Sequence, residues 1–98
     1  MFEILIGMQV DDEVLYRQYR EAMLPILIDH GGYFGYDFRV SEALINPSGH
    51  SINRVFTICF PDKAASEKLF SDDKYLAVKE KFFDNAVSSW TSIAEYER

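Results

Sequence analysis

Apolar and polar residues alternate along the first ten positions of the chain. Every second residue from Phe2 to Val10 is apolar, and the residues between them are Glu3, Leu5, Gly7 and Gln9. Because side chains of an extended strand point alternately to its two faces, this pattern predicts a first strand with one face in the core. The opposite face carries Leu5 and is therefore not fully polar.

After Val10 the period changes to three and four residues, which is typical of an amphipathic helix. The apolar stripe consists of Leu15, Tyr19, Met23, Ile26 and Leu27, with Tyr16 and Ala22 beside it. Four polar residues lie mostly off the stripe, and we expect them to be exposed to solvent: Arg17, Gln18, Arg20 and Glu21.

Residues that start and end helices flank this segment. Asp11 or Asp12 can cap the first turn, since an Asp oxygen accepts hydrogen bonds from its free amides. Gly31 or Gly32 can adopt the left-handed conformation that ends a helix. Pro25 removes one helical N–H, so we expect either a kink just before it or a short second helix that begins there.

The remaining pattern predicts three more strands and a divided second helix. The strands cover residues 33–45, 54–60 and 90–96, and a turn lies at residues 46–49. Asp62 and Asp72 cap the two helical segments, which run to Phe70 and to about Val87. The order βαββαβ indicates an α+β, ferredoxin-like arrangement, an antiparallel sheet with helices on one face.

The helices leave the other face of the sheet uncovered. The second strand alternates, with Phe34, Tyr36, Phe38 and Val40 on one side. The uncovered face keeps Leu5, Ala43, Ile45 and the residues of one side of the third strand. A contiguous apolar patch of this kind marks an interface, so we expect a two-fold homodimer with its sheets packed face to face.

Composition agrees with one domain over residues 1–98. The chain is 48% hydrophobic and 15% aromatic, although a chain this short buries only about 60–65% of its unfolded surface. The net charge of −6 would repel a phosphate backbone, and no basic cluster offsets it, so we expect no nucleic-acid partner.

Cysteine usage and the N-terminal pattern suggest a compartment. Cys59 is the only cysteine, which excludes an internal disulfide and suits a reducing environment. Its apolar strand predicts a buried, inert thiol. The pattern includes neither a basic N-terminal segment nor a long apolar run, so we expect no signal peptide or membrane span and a cytoplasmic location.

Three residues of the first helical region are candidates for a site. His30 could act as a general acid or base or anchor a ligand, which are common roles of histidine. Alternatively, it caps the carbonyl end of the helix, where a cation is favoured. Tyr16 and Tyr19 could line a cavity between helix and sheet, or simply pack in the core with their hydroxyls at its edge.

The strands carry further candidates. Arg54 could hold a carboxylate or enolate through paired hydrogen bonds, and Arg39 shares this option. Alternatively, both form ion pairs with Asp37 or Glu42 at the sheet edge. Trp90 could form a cavity wall or a dimer anchor, although core packing is its commoner role.

Two blocks of residues resemble one family. The first comprises Asp12, Tyr16, Tyr19, Pro25, His30-Gly31-Gly32 and Phe34; the second comprises Arg54, Phe60-Pro61, Ala64-Ala65, Tyr75, Ala77 and Lys79. Their order and spacing over residues 1–80 resemble the domain of unknown function 1330 family, which implies a dimeric α+β barrel. The family's Glu-Gly pair and later Arg are replaced by Ile45-Asn46 and Phe82.

No motif for a metal, a phosphate loop or a nucleophile elbow occurs, so we expect no cofactor. Two hypotheses of function therefore stay open. In the first, the dimer binds or transforms a small aromatic or carbonyl compound in a cavity lined by Tyr16, Tyr19, His30, Arg54 and Trp90. In the second, it is a non-catalytic interaction or accessory module.

Overall fold

The computed structural model of the chain describes residues 1–98 and has the expected α+β order. The elements are β1 (Phe2–Val10), α1 (Glu13–Asp29), β2 (Tyr33–Arg39), β3 (Arg54–Phe60), α2 (Lys63–Ser71), α3 (Asp73–Val78), a π-helical turn (Lys79–Phe83), α4 (Asp84–Ala86) and β4 (Val87–Glu97).

Four strands form one antiparallel sheet in the order β2-β3-β1-β4, with the helices on one face. This is a ferredoxin-like fold, as the sequence predicted. The alternation in β1 is confirmed, since Phe2, Ile4 and Met8 are buried beneath the helices. The stripe of α1 supplies the opposite side of the core through Tyr16, Tyr19, Met23 and Leu27.

Helix α1 begins and ends where the sequence predicted. The Asp12 carboxylate accepts a hydrogen bond from the backbone N–H of Leu15 at 2.9 Å. Gly31 follows the helix in the left-handed region, with φ of 76°. Pro25 lies inside one continuous helix, so the alternative of a second helix beginning there is wrong. Pro25 has no N–H to donate to the Glu21 carbonyl four residues earlier. Both residues are exposed to solvent, so water can satisfy that carbonyl.

Strand β2 ends at Arg39, and the predicted extension to residue 45 is wrong. Arg39 pairs with Arg54, the first residue of β3, so later residues have no strand opposite them. Ala43 and Ile45 therefore lie in an exposed loop and not on the uncovered face of the sheet.

A bulge in β2 changes which side chains share a face. Phe34 pairs with Ile58 and Asp37 with Phe56, so both Gly35 and Tyr36 lie opposite Thr57. The extra residue turns Asp37 toward the helices. Tyr36 and Phe38 lie on the uncovered face, where their rings stack with centroids 5.7 Å apart. The prediction that Phe34, Tyr36 and Phe38 share one side is therefore wrong.

The C-terminal part departs from its predicted bounds in two places. Residues Lys79–Phe83 form a π-helical turn in which the Asp84 N–H bonds the Lys79 carbonyl. Strand β4 starts at Val87, opposite Val10, three residues earlier than predicted. No helix in the chain has the length and apolar character needed to cross a membrane.

Candidate functional site

A cavity of about 660 Å³ lies between the sheet and the helices. Fifteen of its 22 lining residues are hydrophobic, so its walls are mainly apolar. Those that matter most below are Ile4, Met8 and Ile58 from the sheet and Tyr16, Tyr19 and Met23 from α1. The core is therefore not completely filled by side chains.

Three tyrosines with hydrogen-bonded hydroxyl groups line this cavity. The hydroxyls of Tyr19 and Tyr75 are 2.8 Å apart, and the Tyr16 hydroxyl accepts a hydrogen bond from Arg20 Nε at 2.7 Å. Burial raises the pKa of all three phenols. They are therefore neutral near pH 7 and can donate or accept hydrogen bonds.

Arg20 also lines the cavity, and the prediction that it is exposed to solvent is wrong. Its guanidinium carbon lies 3.8 Å from the ring centroid of Phe34 and 4.6 Å from that of Phe56. Nη1 is 3.4 Å from an oxygen of Asp37, whereas Nη2 is buried and has no hydrogen-bond partner. The long side chain folds over the sheet because the bulge brings Asp37 to the helix side.

The rim of the cavity is partly open and charged. Trp90, on β4 opposite Met8, lines the cavity but is 56% exposed, so its expected core packing is wrong. Lys63, Glu67 and Glu95 are exposed lining residues around it. Because exposed residues of α2 and β4 line the same cavity, its mouth lies between these elements.

Arg54 belongs to a neighbouring ion-pair network and does not line the large cavity. Its guanidinium donates to both oxygens of Asp37, at 2.7 and 2.8 Å, and lies 3.4 Å from Glu13. Burial alone would raise the pKa of Asp37, but the hydrogen bond from Arg54 and the charges of Arg20 and Arg54 outweigh it and lower that pKa. This geometry favours the ion-pair interpretation of Arg54.

A second pocket of about 190 Å³ adjoins this network. Tyr16 and Arg20 line both pockets and so form the partition between them. The smaller pocket is polar, with Glu13, Arg39 and Arg54 among its lining residues. Arg39 has a side chain that is 75% exposed and lies 3.7 Å from Glu13.

His30 lies apart from the cavity. Its Nε2 is 3.0 Å from Oδ2 of Asp72, and the other Asp72 oxygen caps α3 by accepting the Lys74 N–H at 2.7 Å. The His30 hydrogen bond lowers the pKa of Asp72, with the backbone amide adding to the effect. The ring thus links the end of α1 to the start of α3, and His30 and Tyr16 do not share the cavity.

The uncovered sheet face contains a polar cluster that the sequence did not reveal. The Glu3 carboxylate is nearly buried there, with the Cys59 thiol at 3.1 Å and Arg98 Nη1 at 2.9 Å; the Tyr96 hydroxyl also donates to it. The Tyr96 hydrogen bond is the main cause that lowers the pKa of Glu3. Burial and then Glu3 raise the pKa of Cys59, which keeps the thiol protonated.

Alternation placed Glu3 on this face, but its partners come from the other end of the chain and from the adjacent strand. The Cys59 side chain is fully buried, as the sequence predicted. No three His, Cys, Asp or Glu side chains converge in a geometry that could hold a metal ion.

Comparison with known proteins extends the fold assignment. No family profile and no curated protein sequence matches the chain. A protein of unknown function from Rhodopseudomonas palustris superposes with a TM-score of 0.82 at 19% identity, covering 99% of this chain and 81% of that chain. A dabb family protein with a ferredoxin-like fold from Mesorhizobium loti gives 0.69 at 15% identity, with coverages of 99% and 95%.

A dimeric protein of unknown function with a ferredoxin-like fold from Bacteroides fragilis gives a TM-score of 0.63 at 14% identity, with coverages of 99% and 95%. At these identities the similarity establishes the fold, and it does not extend to activity.

Proposed function

We propose that this chain is a single-domain homodimer that binds a small, largely apolar aromatic or carbonyl compound, without a cofactor, in the cavity beneath α1. The observation that carries the proposal is the cavity of about 660 Å³ with mainly apolar walls and a few polar groups. This volume lies within the range of small-molecule sites. Unfilled space in a core costs stability, so a cavity of this size is more readily explained by a ligand than by packing alone.

Only some of the residues predicted to contact a ligand line the cavity. Tyr16, Tyr19 and Trp90 line the cavity, so we retain them as ligand contacts. Arg54 is separated from the cavity by Tyr16, whose ring centroid lies 5.1 Å from the guanidinium carbon, and His30 lies outside it. We therefore propose binding and assign no catalytic step to either residue.

The homodimer is supported by the uncovered sheet face. Tyr36, Phe38 and Ile93 lie on this face, and each residue is at least 50% exposed. The dimeric Bacteroides fragilis protein shares the fold. The two residue blocks that resemble the domain of unknown function 1330 family support the same arrangement, a dimeric α+β barrel in which two such faces meet.

The second candidate function is a non-catalytic interaction module. The same uncovered face favours it, because assembly alone would account for the exposed aromatic side chains. In that case the cavity would bind nothing, and substitutions within it would change stability or assembly only.

Nile red, a neutral apolar dye, distinguishes the two candidates. Ser66 is buried at the cavity wall, and its hydroxyl bonds the Lys63 carbonyl of its own helix, so Ser66→Phe adds bulk without leaving another side chain unpaired. Ser71 makes the same type of bond to Glu67 but is exposed and lies outside the cavity, which makes Ser71→Phe the matched control.

We expect saturable dye fluorescence with the wild type and Ser71→Phe, and loss of the signal with Ser66→Phe. Circular dichroism and thermal melting establish that each variant is folded. Equal dye binding by a folded Ser66→Phe variant would place the dye elsewhere and reject the cavity as the binding site. Native mass spectrometry of the wild type reports subunit number and any retained ligand together.

A further inference from the structure

We infer that the ligand of this cavity carries an anionic oxygen, as in a carboxylate on an apolar body, and that Arg20 Nη2 binds that oxygen. This inference rests on the proposed function, since it assumes that the cavity takes a ligand.

The first argument is an unused hydrogen-bond donor. Arg20 Nε donates to the Tyr16 hydroxyl at 2.7 Å, and Nη1 lies 3.4 Å from an oxygen of Asp37. Nη2 is the one buried side-chain nitrogen or oxygen in the chain without a hydrogen-bond partner. A buried donor on a charged group is costly to leave unpaired. An acceptor oxygen on a ligand would therefore satisfy this donor.

The second argument is that Arg20 is held in place before any ligand arrives. The guanidinium carbon lies within about 5 Å of the rings of Phe34, Phe56 and Tyr16, as cation–π contacts require. The side chain is mostly buried, with 16% exposure. Since Nη2 is covered by its neighbours, we expect a small shift of this side chain when the oxygen binds.

The third argument is the charge around the cavity. The chain carries a net charge of −6. The lining residues instead include three cations, Arg20, Lys63 and Lys79, against two anions, Glu67 and Glu95. The neighbouring phenols stay neutral near pH 7, because burial raises the pKa of Tyr16 and Tyr19. Two of these cations already have acidic partners outside the lining, Asp37 for Arg20 at 3.4 Å and Asp84 for Lys79 at 2.8 Å, so the surroundings of the cavity are close to neutral on an otherwise acidic protein.

A carboxylate fits these features better than a neutral carbonyl. Both offer an acceptor oxygen, but the hydrogen bond between a guanidinium and a carboxylate is charge-assisted and stronger. The apolar walls require that the remainder of the molecule be hydrophobic. Arg20 acts as a binding residue here, and no bond is made or broken.

The test uses 4-phenylbutyrate and 4-phenylbutanamide, which share an apolar body and differ in the charge of the head group. Trp90 is the only tryptophan and lines the cavity, so its fluorescence, excited selectively, reports binding. We expect the wild type to bind the carboxylate roughly tenfold more tightly than the amide, a difference of about 1.4 kcal/mol, because a hydrogen bond from the guanidinium to a charged oxygen is stronger than one to a neutral oxygen.

Arg20→Gln should remove this preference while keeping amide binding. Arg20→Lys, which retains the charge and the apolar stem, should keep part of the preference and serves if Arg20→Gln does not fold. Lys68→Gln is the control, since it makes the same charge change at an exposed position of α2 outside the cavity.

The outcomes test the role of Arg20 separately from the cavity as a binding site. Equal binding of both compounds by the wild type, or an undiminished preference in folded Arg20→Gln, would overturn the role of Arg20 and leave a cavity that binds apolar compounds. Failure of the wild type to bind either compound, together with failure to bind Nile red, would overturn the cavity proposal as well.

Discussion

The Arg54 guanidinium donates two hydrogen bonds to the Asp37 carboxylate, from Nε to Oδ1 at 2.7 Å and from Nη2 to Oδ2 at 2.8 Å. The pair joins β2 to β3 on the helix side of the sheet, next to the ring of Tyr16. This contact exists because the bulge rotates Asp37 toward the helices. The ion pair thus supports Tyr16 and Arg20, the two residues that separate the large cavity from the smaller pocket.

Loss of this pair should destabilise the fold. We expect Arg54→Met to lower the free energy of unfolding by about 1–3 kcal/mol, because the Asp37 carboxylate keeps only the longer contact with Arg20. Urea unfolding at fixed protein concentration measures the change. Arg39→Met is the control: its guanidinium is largely exposed, so we expect a change below about 0.5 kcal/mol. Equal effects of the two substitutions would contradict the structural role.

Acid should weaken the same pair. Burial acts to raise the pKa of Asp37, but Arg54 and Arg20 lower it overall from the ordinary value of 3.8. Because the folded-state pKa is lower than the unfolded-state pKa, the stabilisation is complete above the unfolded value and is lost as the pH falls through the folded value. We therefore expect the difference in unfolding free energy between wild type and Asp37→Asn to shrink below about pH 4. A difference that stays constant down to about pH 2 would reject this assignment.

Asp72 should be the more important of two helix caps. Asp62 caps α2 through the Ala65 N–H, whereas Asp72 caps α3 and also pairs with His30. We expect Asp62→Ala to cost about 1 kcal/mol in unfolding free energy and Asp72→Ala to cost more. Thermal or urea unfolding measures both. A smaller cost for Asp72→Ala would show that the His30 contact adds nothing.

His30→Ala separates a structural role from a binding role. We expect a loss of stability of about 0.5–1.5 kcal/mol, because one hydrogen bond between helices disappears. Binding of Nile red should be unchanged, since His30 does not line the cavity. Unchanged stability combined with lost binding would overturn the interpretation of His30 as a link between α1 and α3.

The uncovered sheet face gives a test of the dimer. Phe38 is 53% exposed on this face, and we expect Phe38→Asp to shift the protein to monomer, because a charge there would be buried between the two sheets. Val14, which is 62% exposed on α1, provides the control Val14→Asp. Sedimentation velocity at several protein concentrations measures the subunit number. A wild-type monomer at micromolar concentration would reject the dimer.

The pattern of the sequence predicted what depends on local regularity. The alternation in β1 and the cap at Asp12 each involve residues that are neighbours along the chain, and both are confirmed. The ferredoxin-like arrangement was also predicted, because the βαββαβ order permits few arrangements. The open cavity is a consequence of how the elements pack, and periodicity alone could not show whether side chains fill it.

The wrong positions of Tyr36, Phe38 and Arg20 result from one irregularity in β2. Gly35 has so little room that an added Cβ would collide with the Thr57 hydroxyl, and the Tyr36 N–H donates a hydrogen bond to that same hydroxyl at 2.8 Å. Such a bulge needs a partner residue more than twenty positions away, which periodicity does not reveal. It moved Phe38 to the uncovered face and Asp37 toward Arg20, so the sequence also missed the buried arginine.

The π-helical turn makes the shape of the cavity wall sensitive to the length of the chain at this point. Such a turn is an α-helix with one inserted residue, and Lys79 and Phe83, at its two ends, both line the cavity. Deleting one residue there would restore the regular helix and turn the following side chains by about 100°, the rotation per residue of an α-helix. Deletion of one residue in this turn would thus change the shape of the cavity while the residues of β1, β2 and β3 stay the same.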